Sequence, residues 1–141
     1  MKQVRYATAL IAVLLAALAL SACGDDNDDN GDVVDLSGQY TLTKYEAGAG
    51  GNYQEVEGTT GTFVLTSTEY TATLNIPGLG EIVDAGTYTA IGTEAAGDFT
   101  QDSNTSDTQA TGTYAFNATT GELVLSTTVN GVDQRVTILL D

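Results

Sequence analysis

The sequence predicts an all-β fold, an eight-stranded antiparallel up-and-down barrel, with a two-sheet β-sandwich as the alternative. Three observations predict it. From Leu36 onward apolar and polar residues alternate, and nothing recurs with helical spacing. Thr, a β-branched residue suited to half-buried pleated strands, occurs 22 times after residue 22. Glycine, a polar residue and an aromatic recur at Gly38-Gln39-Tyr40, Gly61-Thr62-Phe63, Gly86-Thr87-Tyr88 and Gly112-Thr113-Tyr114, spaced 23, 25 and 26 residues apart. That spacing is the length of two strands and their connections.

The chain divides into three parts. In residues 1–22, Lys2 and Arg5 precede a 14-residue apolar run from Ala7 to Leu20, too short to span a bilayer and laid out as an export signal. Residues 23–35 form an acidic spacer: the stretch from Gly24 to Asp32 has no hydrophobic residue and five carboxylates. Such a segment cannot bury enough surface to offset its ordering entropy, so disorder is expected. Asp26, Asp28, Asn30 and Gly31 match the start of a calcium loop, but Ser37 stands where the bidentate Glu belongs, so no metal site is assigned. Residues 36–141 form the barrel.

Strands are expected near residues 38–45, 61–66, 70–76, 82–91, 97–101, 111–117, 122–129 and 132–140. Asn130-Gly131 is a two-residue hairpin turn, since both residues tolerate positive φ, and Pro77-Gly78 marks another reversal. Alternation sends Tyr40, Leu42, Phe63, Leu65, Tyr70, Ala72, Leu74, Tyr88, Ala90, Tyr114, Phe116, Leu123, Leu125, Val136, Ile138 and Leu140 to one side. The opposite positions are mostly Thr, Ser or acidic residues. One face is dry and one is wet.

Composition removes most chemistry. After residue 22 only Lys44 and Arg135 stand against 19 acidic residues, a net charge of −17, which excludes nucleic acid as a partner. The chain has no His and no Trp, and Cys23 is its one cysteine. Histidine-based nucleophilic sites, His/Cys zinc sites and intrachain disulfides are therefore excluded. Paired carboxylates could hydrolyse a glycoside, but nearly all the acidic residues fall in loops or on the wet face, where solvation explains them. The expectation is a non-enzyme without cofactor.

Two resemblances add to this. Leu20-Ser21-Ala22-Cys23 resembles the lipobox of a bacterial lipoprotein signal peptide. The resemblance implies cleavage before Cys23, acylation of Cys23 with chains such as palmitate, and a lipid anchor in the cell envelope. Gly24 rather than Asp follows the cysteine, which implies the outer membrane where there are two. Leu36-Ser37-Gly38-Gln39-Tyr40-Thr41-Leu42, opening a Thr-rich meander with Gly-Thr-Tyr strand entries, resembles the bacterial lipocalin-like lipoproteins over residues 36–141. In the lipocalin pattern Gly38 matches, Tyr40 replaces a Trp, and Arg135 falls where an Arg of the last strand stacks over that Trp; the other reading of Arg135 is a surface cation.

Two functions follow. One is a barrel binding a small apolar or amphipathic ligand at its mouth, with Tyr53 and Val56 as contacts and Tyr40, Tyr88 and Tyr114 lining a cavity. The other is a filled barrel acting as a structural or protein-interaction domain, an inhibitor or adhesin, whose tyrosines pack as core. In an up-and-down meander the odd connections share one end, so the mouth is expected from a mobile, lid-like loop at residues 46–60 and a second loop at residues 102–110. Glu55, Glu57, Asp102 and Asp107 would form its acidic rim.

Overall fold

The structure is a computed structural model that describes residues 31–141. The signal, the lipobox, Cys23 and the first part of the spacer lie outside the described residues. Ten strands follow in order: β1 (Asp32–Val33), β2 (Gly38–Ala49), β3 (Asn52–Glu55), β4 (Thr60–Leu65), β5 (Glu69–Ile76), β6 (Gly80–Gly92), β7 (Ala96–Ser103), β8 (Gln109–Asn117), β9 (Glu122–Val129) and β10 (Val132–Leu140). Every expected strand is present. Eight of them run antiparallel in the order β6-β5-β4-β2-β10-β9-β8-β7, and β7 returns to β6 through Gly86↔Ser103 to Gly92↔Gly97. That last pairing closes the barrel and removes the sandwich alternative.

The repeated glycines explain how the sheet curls tightly enough to close. Gly61, Gly86 and Gly112 each stand in inward phase, two residues before a buried aromatic. A Cβ there would overlap the backbone carbonyl oxygen of Thr73, Asp102 and Ser126, respectively. Only glycine lets the neighbouring strand bend across at that point.

The interior follows the alternation with one change of phase. Tyr40, Leu42, Phe63, Leu65, Tyr70, Ala72, Tyr88, Ala90, Tyr114, Leu123, Leu125 and Ile138 are buried as expected. On β2, Thr43 is an extra residue: Lys44 pairs with Thr137, but Leu42 already pairs with Ile138. This bulge shifts the inward phase by one, so Tyr45 enters the core and Lys44 and Glu46 turn to the outer face. Leu140, expected inside, lies at the rim and is exposed.

Two boundaries also move. The expected lid at residues 46–60 is largely strand: β2 continues to Ala49, turns at Gly50-Gly51, and returns as β3 with Ala49↔Asn52 in register. Both turn glycines have positive φ, 62° and 80°, the two-residue hairpin geometry. The end of the expected spacer is ordered as well. Asp32 and Val33 pair with Gly92 and Ile91, and the Val34 amide donates to the Ala90 carbonyl at 2.9 Å. Val34 and Leu36 are buried in the core because they are the first apolar side chains able to cover its lower end.

Candidate functional site

The two ends of the barrel differ. At one end the connections are short, residues 66–68, 93–95 and 118–121, and residues 34–37 pack into the core beside them. At the other end stand the β2–β3 arm, the turn at residues 77–79, the loop at residues 104–108 and the Asn130-Gly131 turn. The first end is the base and the second the mouth. The loops expected at residues 46–60 and 102–110 therefore share the mouth end, separated around the ring by β10 and β9.

Toward the mouth the inward positions become polar. Asp84 on β6, Gln101 and Ser103 on β7, Thr127 on β9 and Gln134 on β10 all face the lumen. The Asp84 carboxylate is the centre of this group. Tyr70 donates its hydroxyl to Oδ2 at 2.8 Å, Gln101 Nε2 donates to Oδ2 at 3.0 Å, and Ser103 Oγ donates to Oδ1. Gln101 Nε2 also donates to the Tyr70 hydroxyl oxygen at 2.8 Å. Burial, then the Asp84 hydrogen bond and charge, push the Tyr70 hydroxyl well above the ordinary tyrosine range, so it stays a donor. Ser103 Oγ accepts the Thr105 and Ser106 amides at 3.2 and 3.1 Å, tying the 104–108 loop to the same network.

Two cavities meet this group. One of about 60 Å³ lies under the 104–108 loop, lined by Ser103, Ser106 and Thr108. The other, of about 90 Å³, reaches deeper onto an apolar floor that includes Tyr45, Phe63, Phe99 and Leu125. Asp84, Gln101, Thr127 and Gln134 belong to both walls.

The residues singled out in the sequence take other places. Tyr40, Tyr88 and Tyr114 fill the base, and their hydroxyls donate to the carbonyls of Leu36, Thr66 and Thr93 at 2.9, 2.6 and 2.5 Å. Burial raises the pKa of all three, that of Tyr88 to about 12. Val56 packs against the core beneath the arm, its amide donating to the Tyr45 carbonyl at 2.9 Å. Tyr53 lies on the outer face under Arg135, 4.1 Å from guanidinium carbon to ring centroid. None of these five lines either cavity. Arg135 stacks on Tyr53 rather than over Tyr40, because Tyr40 pairs with Leu140, five residues further along β10. Glu55, Glu57, Asp102 and Asp107 are exposed at the mouth end.

Parity in the sequence carried a signal for the residues that do line the lumen. Asp84 has the parity of Tyr88 and Ala90, Gln101 that of Phe99, Thr127 that of Leu123 and Leu125, and Gln134 that of Val136 and Ile138. A polar residue in inward phase near a strand end marks a wet lumen as readily as a slipped register. No group of three or more metal-ligating side chains occurs among the described residues. In comparisons with known proteins, the chain matches no family model, no curated protein and no solved structure.

Proposed function

We propose that this protein is an exported envelope lipoprotein, acylated at Cys23, whose lipocalin-like barrel binds a small amphipathic molecule in the lumen below its mouth. It acts as a binding protein, not an enzyme, and sits on the outer membrane where the envelope has two. The Leu20-Ser21-Ala22-Cys23 stretch supports the anchor. The observation that carries the binding reading is the cavity of about 90 Å³, apolar at its floor and hydrogen-bonding at its upper wall. Drug-sized pockets hold about 300–1,000 Å³, so the ligand has few heavy atoms or inserts only its head.

Native mass spectrometry of the full chain isolated from its own membranes tests both halves. A mass increment of acyl chains that Cys23→Ala removes, together with a second small-molecule increment released on unfolding, is the expected result. An unmodified Cys23 overturns the anchor. A ligand-free chain that also binds none of a panel of small amphiphiles leaves the filled-barrel, protein-interaction reading in its place.

A further inference from the structure

We infer that the lumen selects a small organic cation, a short alkylammonium whose head meets Asp84 and whose apolar body lies on the floor below. The inference rests on the binding reading above and adds the ligand's charge. Asp84 is a carboxylate inside the barrel with no cation facing it. Among the described residues the basic side chains are Lys44 and Arg135, and both are paired with Glu46 on the outer face. Its hydrogen-bond donors among the described residues, Tyr70, Gln101 and Ser103, are all neutral, so a cation entering the lumen meets a carboxylate without a counter-charge.

The geometry of acceptors agrees. Oδ2 of Asp84 is filled by Tyr70 and Gln101, but Oδ1 takes only the Ser103 hydroxyl, which leaves it room for another donor. Gln101 spends its amide nitrogen on Tyr70 and Asp84, so its side-chain oxygen is an acceptor in the same wall. Thr127 and Gln134 face it across the lumen. An ammonium brings three donors to such a wall, whereas a carboxylate or phosphate would meet Asp84 with like charge. Below, Phe63, Ala72, Leu74, Phe99 and Leu125 accept a short hydrocarbon.

Calorimetric titration of the full chain with n-propylammonium, n-propanol and propionate at physiological salt tests this. Expected is saturable one-to-one binding of the amine, at least tenfold tighter than the alcohol, and none of propionate. Asp84→Asn should weaken the amine at least tenfold and leave the alcohol unchanged. Should Asp84→Asn not fold, Ala72→Leu, which fills the floor, should abolish amine binding. If the amine still binds Ala72→Leu, it sits on the acidic exterior and the proposal falls. Alcohol binding equal to or tighter than amine binding overturns the cation while the small-ligand reading survives. Failure of all three probes overturns the cation as well, and the native-mass experiment then decides the broader reading separately.

Discussion

Arg135 grips Glu46 with two parallel bonds, Nε to Oε2 at 2.7 Å and Nη2 to Oε1 at 2.9 Å, while the Tyr53 ring lies 4.1 Å beneath the guanidinium. Lys44 Nζ adds a third contact to Oε1 at 3.0 Å. Glu46 is buried under this cover although it belongs to the outer face. The Arg135 hydrogen bonds, with help from Lys44, hold its carboxyl at about 2, against an ordinary 4.5. The arm formed by β2 and β3 is thereby fastened to β10.

Because the folded pKa of Glu46 lies below its unfolded value, its stabilisation is complete above pH 4.5 and is lost as pH falls toward about 2. Urea unfolding of the wild type and Glu46→Gln across that range checks it. The wild type should have the higher midpoint near neutrality, with the gap closing on acidification. A gap of constant size would mean that the charge on Glu46 contributes nothing.

Tyr40, 2% exposed, gives its hydroxyl to the Leu36 carbonyl at 2.9 Å. Tyr40→Ala should cost about 3–5 kcal/mol, since it opens a ring-sized cavity in the base. Tyr40→Phe should cost only about 0.5–1.5 kcal/mol, the net worth of one hydrogen bond. Equilibrium unfolding of the two variants separates packing from polarity, and similar costs would count against this account.

Gly112→Ala places a methyl against the Ser126 carbonyl and should destabilise by about 1–3 kcal/mol through strain. Gly50 has positive φ but open space around its Cβ position. Gly50→Asn, which suits a two-residue hairpin turn, should cost less than about 1 kcal/mol. Thermal melts of both variants test whether strand crossing, rather than turn geometry, is the stricter demand on glycine here.

Hydrogen exchange should find the Val34 amide protected, because it donates to Ala90 within the base. Leu36→Ala, at a site 4% exposed, should cost about 2–5 kcal/mol. Exchange of Val34 at the rate of an unfolded chain would mean that the base is open.

The barrel was legible because its strands obey a period of two and its turns carry glycine, asparagine or proline where the chain reverses. Asn130-Gly131 shows this most directly, with φ of 51° and 77°. The Thr43 bulge was not legible, since an extra residue in a strand leaves no mark in composition, and Tyr45 lost its place in the core reading for that reason. Gly48, Gly50 and Gly51 read as a mobile loop, though a Gly-Gly pair equally makes a tight hairpin. The partner of Arg135 depended on strand register, which nearness to the chain end does not specify. Asp84 and Gln134 were visible in phase but are not singled out by the sequence, because alternation distinguishes two faces without saying that the inner one turns polar toward the mouth.

Both ends of the described chain sit at the base. Asp32 and Val33 lie beside Gly92 and Ile91, while Asp141 bonds the Gln39 carbonyl and the Thr41 hydroxyl. The described residues therefore form a handle and a bowl: both residue 31 and Asp141 lie at one pole, and the described residues of the opposite pole belong to hairpins and short loops. Residue 31 and Asp141 both leave from the handle, so the rim of the bowl points away from both.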